Sequence, residues 1–182
     1  RTDLLDPRAR QVFSEQAFDA YADLPETAQF DAVAVVGMHA KTGSRGFASH
    51  TFTLGIELQV NGQSITETEL VGLSWGRFGT PVIFASGDDR LAADLETMPW
   101  IESVTVKTAT SASTVESRPI EEARADLTAA AKRAVENLPN ARVMQVSTPL
   151  AATLRAVPPA NLSMLSGVPG IDYDSEANSV TF

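Results

Sequence analysis

Residues 30–52 read FDAVAVVGMHAKTGSRGFASHTF, and the way this stretch is parsed decides the fold. Its first part, residues 30–37, is a short and nearly unbroken apolar run, rich in valine and closed by glycine. That pattern predicts a strand buried on both faces, as in a parallel sheet covered by helices. Residues 38–50 contain Gly, Ser, Lys and Arg without apolar periodicity, so they read as a loop at the strand's C-terminal end. In open α/β sheets ligands bind at that edge. The chain has two histidines, His39 and His50, and both lie in this loop.

Working outward, residues 51–60 partly alternate and run into Asn61-Gly62, a strong tight-turn signal, which predicts a hairpin-like excursion. A helix is expected over 65–75, with Ile65, Leu70, Val71 and Leu73 as its apolar stripe. Residues 80–86 form a second buried-strand candidate, and a helix is expected to start near Asp88. Residues 103–107 give a third strand. The clearest helix covers 120–138: Pro119 precedes it, Glu121 and Glu122 complement its dipole, and Ile120, Ala123, Leu127, Ala131, Ala134 and Leu138 recur at helical spacing. Residues 142–146 and 179–182 are further strand candidates, and 11–21 a short helix. Strands alternating with helices predict an α/β class: a mixed, largely parallel sheet flanked by helices, with the excursion attached.

The 182 residues suit a single domain, 1–182. Apolar residues make up 43% and charged residues 20%, ordinary globular usage. No apolar run approaches the roughly 20 residues of a membrane helix. A net charge of −9 repels nucleic acid and anionic lipid, and no basic stripe with interleaved aromatics appears, so neither nucleic acid nor membrane is expected as a partner. Cysteine is absent, which excludes disulfides, thiolate metal sites and cysteine catalysis. A metal would have to use His, Asp, Glu or backbone oxygens.

Several side chains can carry chemistry, and each also has a plainer reading. Histidine is the commonest metal ligand and general base near neutral pH, and Gly43 and Gly46 let the loop fold back so that the two imidazoles converge. Two partly exposed loop histidines fit the same spacing. Glu67, after the Asn-Gly turn, can complete a His and carboxylate set of the kind zinc uses, or it is a solvated first-turn glutamate. Glu69 faces a different side of the helix, so only one of the two can address a given site. Asp88 and Asp89 end a buried strand, where acidic groups bind metal, orient a histidine, hold an ammonium, or simply cap a helix. Lys107, at another strand end, balances charge near a site or lies on the surface. Lys41-Thr42-Gly43 lacks the Ser-x-x-Lys that accompanies this triplet in serine β-lactamases, and the loop lacks the P-loop pattern.

Taken as a set, the segments over residues 30–138 resemble the DppA-like zinc D-aminopeptidases. The matching pieces are Gly37-Met38-His39-Ala40, Ser49-His50, Asn61-Gly62 with Glu67, Gly79-Thr80-Pro81-Val82, Ser86-Gly87-Asp88-Asp89, Val106-Lys107 and the proline-preceded helix from Ile120. Met38 stands where the family has an aromatic residue. The resemblance implies zinc as cofactor, His39 and Glu67 as metal ligands and His50 as the catalytic histidine outside the metal's immediate ligands. Asp88, Asp89 and Lys107 are then candidates for substrate binding or support. It implies a metallo-aminopeptidase acting on short peptides with an N-terminal D-amino acid. It also implies homo-oligomers, large rings that are decamers in the family, and a cytoplasmic location, or a periplasmic or secreted one if a leader has been removed. The family also carries an Asp-x-Glu pair and a further histidine upstream of the matched region. These are absent before residue 30, and the expectation is that a front segment of the same domain bears them. Without it, the alternative is a non-catalytic scaffold or binding protein of the same fold.

Overall fold

The structure, a computed structural model, describes residues 5–9 and 30–182. The short helix expected over 11–21 lies outside the described residues. Two sheets organise the rest. In the first, strands β1 (Val33–Val35), β4 (Val82–Asp88), β5 (Glu102–Ala109) and β6 (Val115–Ser117) lie in the order β1-β4-β5-β6. β1, β4 and β5 run parallel, and β6 closes the edge by an antiparallel hairpin with β5. In the second, β2 (Ile56–Val60), β3 (Gln63–Ser64), β7 (Ala152–Ala156), β8 (Asp172–Asp174) and β9 (Ser179–Thr181) form an antiparallel sheet in the order β3-β2-β7-β9-β8.

Strand β4 sits between β1 and β5, and each of its seven residues is buried, as an unbroken VIFASGD run requires. Helices α1 (Glu67–Gly76), α2 (Asp89–Asp94) and α3 (Ile120–Glu136) cover this sheet. Val35, Val82, Ala85, Leu91, Leu95, Met98 and Ile101 form one apolar cluster, and Ile83, Phe84, Val104, Ala130 and Ala134 form another beneath α3. The mixed α/β class with a largely parallel, helix-flanked sheet is therefore the observed one. The excursion is a hairpin, with Asn61 at φ 49° and Gly62 at φ 78°. Two successive left-handed residues are what a type I′ turn demands.

Several local expectations differ from the structure. The apolar run of 30–37 is buried on one side only: β1 pairs with β4 alone among the described residues, and Val36 is 72% exposed. Ile65 is buried but precedes α1. The residues α1 buries are Thr68, Gly72 and Gly76, a small-residue face rather than a leucine stripe. Residues 142–146 form no strand; Met144 lies against that glycine face, where a Cβ on Gly72 would collide with its sulfur. In α3, Ala130 rather than Ala131 is buried, and Ile120 is exposed at the helix start. The second sheet, with β7 and β8, has no counterpart in the sequence reading beyond its hairpin and the strand near 179–182.

Candidate metal centre

Past β1 the chain continues along β4 for two more residues. Gly37 N–H donates to Ser86 Oγ at 3.2 Å and Met38 N–H to the Ser86 carbonyl at 2.8 Å. That continuation delivers His39 to the C-terminal edge of the parallel strands. The loop then returns, and the His50 N–H donates to the Ala40 carbonyl at 3.1 Å. The two imidazoles meet face to face, with centroids 3.8 Å apart and planes 17° from parallel.

Glu67 arrives from the other direction. Ile65 N–H bonds the Leu58 carbonyl, and Thr51 Oγ1 donates to the Ile65 carbonyl at 3.0 Å, so the residue after His50 holds the segment that leads into α1. Thr66 caps α1 and Glu67 is its first residue. Glu67 Oε1 accepts the Phe52 N–H at 2.8 Å, and Oε2 lies 3.3 Å from His39 Nε2. Glu69 turns back to Thr66 in a capping box, so only Glu67 addresses the histidines.

Hydrogen bonding assigns the tautomers. His39 Nδ1 lies 3.2 Å from its neighbour's carbonyl, Ala40 O, and His50 Nδ1 lies 2.6 Å from Ala48 O. A carbonyl only accepts, so both Nδ1 atoms carry hydrogen and both Nε2 atoms keep a lone pair unless protonated. Metal-binding histidines are held in this way, by a backbone carbonyl on the ring nitrogen that does not bind the metal. One donor atom from each of His39, His50 and Glu67 lies within 4.8 Å of the others. Zinc bonds of about 2.0–2.2 Å at tetrahedral angles put neighbouring donors roughly 3.3–3.6 Å apart, and the His39–Glu67 separation of 3.3 Å fits that edge. The His39–Glu67 pair is thus of the right chemistry and spacing for zinc. In the metal-free protein the same two groups are partly buried and hydrogen-bonded to each other. Glu67's hydrogen bond raises the His39 pKa above its ordinary 6.5, against burial. The bond from His39 lowers Glu67 below 4.5, again against burial.

The remaining candidates are placed differently. Asp88 is 1% exposed and spends both oxygens on backbone: Oδ1 accepts the Leu91 N–H at 2.9 Å as the cap of α2, and Oδ2 accepts the Phe47 N–H at 2.8 Å. Asp89 Oδ1 accepts the Ala109 N–H at 2.7 Å, and Oδ2 pairs with Arg90. Lys107 lies over the Phe47 ring, 4.7 Å from its centroid. All three therefore support the loop or its surroundings rather than joining the donor cluster. A residue the sequence reading passed over, Asp94, accepts from the Lys41 N–H and the Ser44 hydroxyl. An aspartate closing a six-residue helix carries no sequence signal of such a role. A cavity of about 750 Å³ adjoins the loop, lined by Thr42, Arg45, Ser49, Leu54, Val157 and Pro158 among others. Another, of about 410 Å³ between α1 and residues 142–147, is lined by neither histidine nor Glu67.

No curated protein matches the chain in sequence. Among solved structures, the chain is similar to the Zn-dependent D-aminopeptidase DppA from Bacillus subtilis, described as a self-compartmentalizing protease. The TM-score is 0.73 and the identity 22%, over 82% of this chain and 56% of that one. At that identity the likeness concerns the fold. The chain spans little more than half the length of this neighbour. The model of the peptidase family M55, described as D-aminopeptidase, matches residues 1–182. With the match running the length of the sequence, the chain belongs to the D-aminopeptidase family.

Proposed function

We propose that the protein is a zinc-dependent aminopeptidase that releases the N-terminal D-amino acid of short peptides. The observation that carries this reading is the gathering of His39, His50 and Glu67, one donor atom each within 4.8 Å, in a member of that family. His39 Nε2 and Glu67 Oε2 would hold the metal. When bound, zinc lowers the pKa of a water towards 7 and polarises the scissile carbonyl. His50 stands beside that pair. Its ring stacks on that of His39 with centroids 3.8 Å apart, which puts it next to the site without requiring it as a ligand. His50 Nε2 is then free to take a proton from the attacking water and return it to the leaving amine. Ala48 O fixes its tautomer for that task. The cavity beside the loop gives room for the rest of the peptide. Self-association into a homo-oligomer belongs to the same reading, since the solved neighbour is described as self-compartmentalizing.

A second reading, a scaffold without catalysis, draws on one fact: among the described residues a single carboxylate joins the cluster, which leaves a divalent charge only half neutralised. Metal analysis separates the two. We expect about one zinc or more per chain, and cleavage of a dipeptide with an N-terminal D-residue that a chelator abolishes and zinc restores. His50→Ala should keep the zinc and lose about 10²–10⁴-fold in kcat. His39→Ala should lose the zinc itself. A protein that binds no zinc and cleaves neither D- nor L-peptides would leave the scaffold standing.

A further inference from the structure

The loop that joins the two histidines is held at both ends of one short helix. Asp94 closes α2, and its Oδ2 accepts the Lys41 N–H at 3.0 Å and the Ser44 hydroxyl at 2.9 Å. Its Oδ1 lies 2.8 Å from the same hydroxyl and 3.8 Å from Lys41 Nζ. At the other end Asp88 takes the Phe47 N–H. Gly46 passes so close to Asp88 that a Cβ there would meet Oδ2 at 2.7 Å and Ser49 Oγ at 2.8 Å. Between these anchors the loop adopts conformations that it would not choose alone: Arg45 has φ 56° and Ala48 φ 50°. Left-handed non-glycine residues persist only where the surroundings over-determine them. Asp94 itself sits where helix electrostatics disfavours it, since the last turn of a helix prefers cations. Its Lys41 and Ser44 partners account for its place there.

We propose that Asp94 is a positioning residue: it fixes the Lys41–Ser44 arm of the loop, and through it the approach of His39 and His50 to each other and to Glu67. Lys41 is two residues from His39, and the single carbonyl of Ala40 meets both His39 Nδ1 and the His50 N–H. A shift of the arm therefore moves both rings. Asp94 touches neither ring nor any of the donor atoms, so its effect on the site is transmitted.

The presence of two histidines in the chain makes the test direct. In the 182-residue chain, the ¹H–¹⁵N imidazole signals of His39 and His50 report the two rings without a metal, and chelator competition reports zinc affinity. Asp94→Ala should shift or broaden both sets and weaken zinc binding about tenfold or more, the scale seen when outer supports of a metal ligand are removed. Asp94→Asn can accept but offers no second carboxylate oxygen, and should fall between. Ser44→Ala, which removes one partner and keeps the carboxylate, should give the mildest change, and the exposed Glu96→Ala none. Should Asp94→Ala fail to fold, the graded pair Asp94→Asn and Ser44→Ala carries the comparison. A drop in melting temperature with unchanged imidazole signals and zinc affinity within twofold of the parent would reduce Asp94 to a structural residue and overturn the proposal. The zinc arm rests on the metal reading above. The imidazole arm does not, so a protein that binds no zinc still tests Asp94.

Discussion

The two sheets solve different problems with strands of different length: β4 and β5 have seven and eight residues, whereas no strand of the second sheet has more than five. In the first, β4 is buried along its whole length and its C-terminal residue, Asp88, holds the loop that carries the histidines, so core packing and the donor cluster are linked. Leu91 shows the coupling: its side chain lies in the core and its N–H is held by Asp88, whose other oxygen holds the loop. In the second, β7 and β9 pair across Leu154 and Val180, far along the chain from the histidines. Its ties to the site are backbone carbonyls: Ile56 accepts from the Thr42 hydroxyl, Ser64 from Lys41 Nζ, and Leu58 from the Ile65 N–H that leads into Glu67. A parallel sheet concentrates chemistry at one edge because its strand ends converge there, whereas an antiparallel sheet distributes its ends to both sides.

The sharpest way to break that comparison is to make equivalent cavities in the two cores. Leu91→Ala should cost about 3 kcal/mol and Val180→Ala about 2 kcal/mol, for side chains 1% and 0% exposed. Chemical denaturation measures both. Zinc affinity should fall several-fold in Leu91→Ala and stay within twofold in Val180→Ala. Equal effects on zinc would show the sheets to be one mechanical unit.

Legibility divides along the same line. The first sheet was readable because fully buried strands leave apolar runs bounded by Gly and Asp, as in residues 80–89, and because α3 has a proline, acidic first turn and spaced alanines. The gathering of His39, His50 and Glu67 was legible as a set of matching segments rather than from any one of them. The second sheet was opaque because β7, β8 and β9 have five, three and three residues, too few to establish alternation, and their partners are distant in sequence. Exposure of one face of β1 was missed for a related reason: an apolar run records what a strand can bury, and the layer packed over each face decides whether it does. Asp94 escaped as an anchor because a carboxylate bonded to a backbone amide and a hydroxyl looks, in sequence, like any other aspartate, whereas Asp88 stood out as a cap or support at the end of a buried strand.

A smaller effect tests the second sheet by charge. Glu57 is nearly buried and pairs with Arg155 across β2 and β7. Burial alone would raise its pKa, but the bond and charge of Arg155, with hydrogen bonds from Ser64 and Gln59, together hold it below the ordinary 4.5. A carboxyl depressed in the folded state stabilises above its unfolded pKa, and that stability is lost as pH falls through the folded value. Arg155→Ala should therefore cost about 1–2 kcal/mol near pH 7, discounted because the arginine is half exposed. The gap between variant and parent should close below pH 4.5, where the unfolded glutamate is already protonated. Zinc affinity should not change. A stability difference that is flat from pH 7 to pH 3 would mean that the arginine acts through packing alone.

The smallest effect comes from the junction of the two sheets, where Thr66 starts α1. Its hydroxyl accepts the Glu69 N–H at 3.0 Å and donates to Glu69 Oε2 at 2.9 Å, while the Thr66 N–H donates to the same oxygen at 2.7 Å. Losing such a cap costs about 1 kcal/mol. The next residue is Glu67, so fraying of this turn also frees the carboxylate that faces His39. Thr66→Ala should lower stability by about that amount and weaken zinc binding a few-fold, with Thr66→Ser restoring both. Because Thr66 is joined to the hairpin on one side and to the donor cluster on the other, the ratio of the two losses measures how far a disturbance on the antiparallel side reaches the metal. A variant that loses stability and keeps full zinc affinity would confine the coupling to the loop anchored by Asp88 and Asp94.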